Sequence, residues 1–223
     1  MANPEHVALI EQGAEVLTAW RRAHPDIRLD LEKADLKHLA LAAIDLSGAS
    51  LQEADLQNAN LAGANLQKAG LRGVQLQGAD LSRADLRGAH MVRVNLQAAC
   101  LQEALLHRVH LHGAYLQAAN LQAANLQHAY LQWAYLVDAN LEGAQLQGAQ
   151  LHWANLQKAN LSGANLQASH LEGVVLGHTV FQDTNLKAAQ GLDTCRHLSA
   201  SSLDAGTISL SGFLPDHFLQ GRP

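Results

Sequence analysis

Aromatic side chains are scarce in this chain of 223 residues, at 4 %, and charged ones are few, at 16 %. A core without large rings has to be built from leucine and alanine, which suits a narrow space tiled uniformly. Scarce charge leaves Gln, Asn and His to carry the polar surface. Two cysteines, Cys100 and Cys195, are too few for a disulfide framework, and a reducing cytoplasm is the expected compartment. No apolar run reaches the 18 residues that suggest a membrane span. Residues 1–24 hold no basic stretch followed by an apolar run and a small-residue cleavage site, so no signal peptide is expected. Neither sign of charge dominates, the formal net charge being −5. There is no phosphate loop, no H-E-x-x-H and no nucleophile with a plausible base. The reading is therefore not an enzyme, with no cofactor.

What the chain does have is a period. A large apolar residue returns every five positions, from Leu31, Leu36 and Leu41 to Leu186, with a small residue, usually alanine, two positions before most of them; Leu39, Ile44, Val74, Val94, Val109 and Val174 depart from this. The unit reads A-(N/D/other)-L-x-x, and 32 copies fill residues 30–190. Helix does not explain this spacing. At about 100° per residue, five residues advance by a net 140°, so the leucines would spiral around a helix instead of forming a stripe. On an extended backbone the small residue and the leucine share one face, and the residue between them points outward. The next two residues must stay outside, so the chain turns a corner there. Small residues such as Gly48, Gly63 and Gly143 recur at the second corner position, where a turn wants them.

Four corners close a square coil of 20 residues, and outward residues echo at that spacing. Trp133 and Trp153 do so, as do Tyr115 and Tyr135, His90 and His110, and the column Asn120, Asn140 and Asn160. With no proline between Pro25 and Pro215, nothing breaks the frame. The tandem A-(D/N)-L-x-x pattern resembles the pentapeptide repeat proteins. That resemblance implies an all-β solenoid, a right-handed quadrilateral β-helix of about eight 20-residue coils. At roughly 4.8 Å per layer the rod is about 38 Å long.

The flanks read differently. Residues 1–29 form an N-terminal capping segment: Asn3 and Pro4 start one amphipathic helix over roughly residues 4–23, with Val7, Ile10, Ala14 and Leu17 on its apolar side. Residues 191–223 lose the period but keep Leu192, Leu198, Ile208, Phe213 and Phe218, too apolar for a disordered tail. They read as a C-terminal cap or dimerisation segment, with one short helical turn between Leu214 and Gly221. The resemblance implies a possible homodimer through this end.

Sorting by 20 leaves one unusual face. Its outward residues include His110, His112, Tyr130, Trp133, His152, Trp153 and His170, and the next face adds Tyr115 and Tyr135. Aromatics clustered on a rigid surface are candidates for partner binding; they can equally stack on one another along the coil. The histidines do not read as a metal site, since no cysteine or carboxylate completes a set. Protonating all 13 would move the formal charge to +8, so a response between pH 7 and 5.5 is expected.

The first functional reading is a non-catalytic scaffold or protein-interaction module with an unidentified protein partner. The alternative, implied by the resemblance, is a DNA-mimicking inhibitor or protector of DNA gyrase of the quinolone-resistance type. Such mimicry requires sustained negative charge. Residues 110–189 hold only Asp138, Glu142, Glu172 and Asp183 against Lys158 and Lys187, far from one charge per roughly 1.7 Å of duplex. The gyrase-binding members also tend to carry Phe where this chain carries leucine. Five arginines, Arg72, Arg83, Arg87, Arg93 and Arg108, are interleaved with acids and form no nucleic-acid groove, so direct nucleic-acid binding is not expected.

Overall fold

A computed structural model describes residues 1–220. Within it, residues 30–190 wind into a four-sided coil whose layers are held by parallel bridges between residues 20 apart, from Asp30↔Ser50 to His170↔Gln190. The expected 20-residue coil is therefore present without a break. Leu31 donates its N–H to the Ser50 carbonyl of the next layer at 2.8 Å, and Ser50 donates its own to Leu29 at 2.8 Å. Every leucine of the ladder from Leu31 to Leu186 lies inside, at no more than 3 % exposure, with the small residues packed beside them. No room remains for a water molecule along the seam from Leu116 to Leu166.

The corners follow one rule. The second corner residue has positive φ in all 32 repeats, 10 times as glycine and 22 times as another residue. Through the body of the coil the N–H two residues beyond the inward leucine-type position bonds the next layer, as Lys33 does to Gln52 at 2.9 Å. The small residue then closes the turn, as Ala34 does onto Leu31 at 3.1 Å. That leaves the N–H of the first corner residue without a backbone partner. Asn and Asp supply one: Asn140 Oδ1 accepts from Glu142 N at 3.1 Å, and Asp80 Oδ1 accepts from Ser82 N at 2.9 Å. The frequent Asn or Asp before the leucine is thus a local turn cap.

The N-terminal segment is two helices instead of one, α1 (Pro4–Glu11) and α2 (Ala14–Ala23). Gly13, at φ 95°, breaks them apart, and both Ile10 and Leu17 are buried in the core cluster. Asn3 Oδ1 caps α1 through Glu5 N at 2.9 Å. The first coil has no layer beneath it, so His6 Nδ1 takes the Asp30 N–H at 3.0 Å. Arg21 holds α2 down, donating to the Ser47 carbonyl at 2.9 Å and pairing with Asp45 at 3.2 Å. An edge of unpaired strand groups is covered in this way.

At the other end the coil stretches. Strand β1 (Val175–Leu176) pairs in parallel with β3 (Arg196–His197), and β2 (Val180–Phe181) with β4 (Ser202–Leu203). The partners are now 21 and 22 residues apart. Helix α3 (Ala205–Ser211) closes the layer by substituting hydroxyls for backbone. Thr207 Oγ1 accepts from Thr184 N at 3.0 Å, and Ser211 Oγ accepts from Leu186 N at 3.0 Å. The short helix expected between Leu214 and Gly221 is α4 (Asp216–Gln220), with Phe218 buried against Phe181; Gly221 lies outside the described residues. Phe213, by contrast, stands 92 % exposed. No helix among the described residues is long and apolar enough to cross a membrane.

His197 is buried at 4 % exposure between His217 and Phe218, with neither ring nitrogen hydrogen-bonded. Burial, and then the charge of His217, hold its pKa below the usual histidine value. The unfolded chain therefore takes up this proton first. Stability associated with His197 is full above about pH 6.5 and is lost as pH falls toward the depressed folded value. The melting temperature is expected to drop between pH 7.5 and pH 5. The drop should shrink in His197→Phe, as read by circular dichroism at both pH values.

Candidate functional site

On three faces Asn and Asp recur before the leucine. On the fourth, the column reads Asp30, Ser50, Gly70, His90, His110, Tyr130, Gln150, His170 and Gln190. Only Asp30 caps its turn there, onto Glu32 N at 3.2 Å. Each missing cap costs about 1 kcal/mol by analogy with helix caps. What replaces the caps in the C-terminal half is a set of rings.

The rings form ladders along the rod axis, because the coil period sets one above the next. His90, His110 and Tyr130 stack with centroids 4.8 Å apart at each step. His112 lies beside them, 5.9 Å from Tyr130. Trp133 and Trp153 stack at 5.5 Å, and His152 and His170 at 5.5 Å. Tyr115 and Tyr135 form a separate parallel pair at 5.3 Å on the next face. All nine candidate residues thus lie outside the leucine core, seven on one face and two on its neighbour. Burial, and then the charges of His90 and His112, hold His110 below the usual histidine pKa.

The two tryptophans occupy second corner positions, both at φ 61°. For a bulky side chain that conformation costs about 1–2 kcal/mol relative to glycine. One indole pair returns about 0.5–1.5 kcal/mol. Twenty other non-glycine residues hold the same corner conformation, so the strain belongs to the coil; what sets Trp133 and Trp153 apart is that, although stacked, they still stand 60 % and 48 % exposed. Above them the column ends in Gly173, where a Cβ would press into the Trp153 ring.

One expectation is corrected. A carboxylate does complete a set with two histidines: Glu172 Oε2 lies 3.0 Å from His152 Nε2, and its Oε1 lies 3.9 Å from His170 Nδ1. Glu172 sits one layer above His152 and two residues after His170, so offsets of 20 and 2 would have revealed it. The histidine columns taken alone did not.

The model of pentapeptide repeats, in eight copies, matches residues 30–67, 69–108, 89–127, 124–163 and 159–190. No curated protein matches the chain. Among solved structures, HetL of the cyanobacterium Nostoc sp. strain PCC 7120 is a pentapeptide repeat protein involved in heterocyst differentiation regulation. It is 29 % identical, over 84 % of this chain and 96 % of its own, with a TM-score of 0.28. The pentapeptide repeat protein alr5209, also of Nostoc PCC 7120, is 40 % identical over 37 % of this chain and 69 % of its own, with a TM-score of 0.37. Full-length QnrB1, a plasmid-mediated fluoroquinolone resistance protein, is 19 % identical over 79 % of this chain and 87 % of its own, with a TM-score of 0.41. The repeat, its unbroken 20-residue bridges and the match along residues 30–190 place this chain in the pentapeptide repeat family, whose members fold as right-handed quadrilateral β-helices.

Proposed function

We propose that this protein is a non-catalytic interaction scaffold whose aromatic–histidine face docks a protein partner. The observation that supports this reading is the tryptophan pair: two large indoles in adjacent layers, stacked at 5.5 Å and still 60 % and 48 % exposed. Indole and phenol rings on a rigid frame lose little conformational freedom on binding, which makes them effective anchors. The rod supplies that rigidity, because each layer is locked to its neighbours by backbone hydrogen bonds at every repeat. The dry leucine interior offers no enclosed pocket for a small substrate, and the surface depressions are open. The near-neutral surface of residues 110–189 gives mimicry of DNA no comparable support.

The test compares the wild type with Trp133→Ala/Trp153→Ala in a pull-down from lysate, with circular dichroism to verify that both are folded. The double variant is expected to lose the partner. Recovery of the same proteins by both chains would show the face to be structural only.

A further inference from the structure

We propose that His152, His170 and Glu172 form a binding site for a divalent transition metal ion of the zinc class. Two periods of the fold build it. Strand alternation sends His170 and Glu172 outward on either side of the buried Leu171. The coil repeat sets Glu172 directly above His152. The three side chains each offer a ligand atom, and these atoms lie within 4.8 Å of one another.

The spacing fits an ion. Ligands about 2.0–2.2 Å from a tetrahedral metal stand roughly 3.3–3.6 Å apart. The two approaches of Glu172 to the imidazoles, 3.0 Å and 3.9 Å, bracket that range. Small side-chain rotations at residues about a third exposed bring both into it. The carboxylate also wants a partner. Glu172 Oε2 is closed off from solvent and accepts no hydrogen bond, because its approach to His152 Nε2 lacks hydrogen-bond alignment. A cation between them would satisfy it. His152 Nδ1 is likewise unpartnered, a deficit the ring carries with or without an ion.

The surroundings hold the carboxylate in place. A Cβ at Gly191 would come within 2.5 Å of the Glu172 backbone nitrogen, so only glycine permits this close approach. On the other side, Gly173 leaves room for the Trp153 ring. Two imidazoles and one carboxylate select zinc, nickel or copper over calcium or magnesium, which prefer an all-oxygen shell. Three protein ligands at a surface leave the fourth position to water.

This site does not depend on the docking reading, and its test involves no partner. Calorimetric titration of the full chain with zinc chloride at pH 7.5 is expected to show one ion per chain. Glu172→Gln and His152→Ala/His170→Ala should each weaken it at least tenfold. The control His90→Ala/His110→Ala, in a ladder without a carboxylate, should bind as the wild type does. Nickel chloride should quench tryptophan emission through Trp153 in the wild type and in the control, and much less in Glu172→Gln. Circular dichroism checks that each variant is folded. Equal zinc affinity in the wild type and Glu172→Gln would overturn the assignment, as would loss of binding in the control variant or no binding below millimolar zinc.

Discussion

Leu126→Asp is expected to break the rod at its middle. Leu126 is 1 % exposed and points into a seam of leucines with no space for water. A carboxylate there has neither a hydrogen-bond donor nor a cation in reach, so it must either stay neutral at a cost or drag water into the layer. The effect should exceed about 4 kcal/mol, a large part of the roughly 5–15 kcal/mol that holds a domain together. The companion Leu126→Ala, which only removes packed atoms, should cost about 2–5 kcal/mol. Gln127→Asp, one residue away on the outside, should lie within about 0.5 kcal/mol of the wild type. Thermal melts followed by circular dichroism rank the three. Limited proteolysis adds a spatial readout, because each layer rests only on its neighbours. The first cuts in Leu126→Asp should fall in coils next to residue 126, leaving an N-terminal fragment that still carries α1 and α2.

The two cysteines are expected to differ by at least about a thousandfold in reaction with a thiol reagent at pH 8. Cys195 is 2 % exposed beneath the tail, with its thiol directed at the Leu171 carbonyl at 3.5 Å. Burial first, and then the charges of Asp193 and Glu172, push its pKa up to about 12. The attacking species is the thiolate, which at pH 8 is then about one part in ten thousand, and the reagent has no path to it. Cys100 sits half-buried on an outer column, in the place of a turn-capping Asn. The folded protein should therefore release one equivalent of chromophore promptly from a disulfide reagent and the second only in denaturant. Two prompt equivalents would mean that the C-terminal layer opens readily, against the packing of Leu192, Cys195, Leu214 and Phe218 in the core.

The coil was legible because a leucine every five residues admits one backbone solution, and the outward echo at 20 counted its sides. The faces followed, and with them the location of all nine candidate residues. Four things were hidden. Val7, Ile10, Ala14 and Leu17 keep helical spacing straight through Gly13, so the break between α1 and α2 left no mark on the pattern; only the φ of 95° at Gly13 shows it. In the tail, insertions of one and two residues shift the pairing to Val175↔Arg196 and Val180↔Ser202. Those shifts erase the echo while the parallel bridging continues. Glu172 counts in the sequence only toward the charge of residues 110–189, because its meaning comes from two different periods meeting at one point. The role of Asn and Asp was also invisible as chemistry: the pattern shows the preference, but only the unpartnered corner N–H explains it.

The 20-residue bridge spacing makes insertions behave like turns of a dial. Removing 20 residues would delete one storey and leave every face aligned, since the residues above would drop onto equivalent neighbours. Removing a single five-residue unit between Trp133 and Trp153 would keep the core, the corners and nearly the whole length. It would rotate everything beyond it by a quarter turn. Trp153, His170 and Glu172 would then face away from Trp133 and Tyr130. For this chain, what a lineage has to preserve is angular phase, and length is the tolerant quantity.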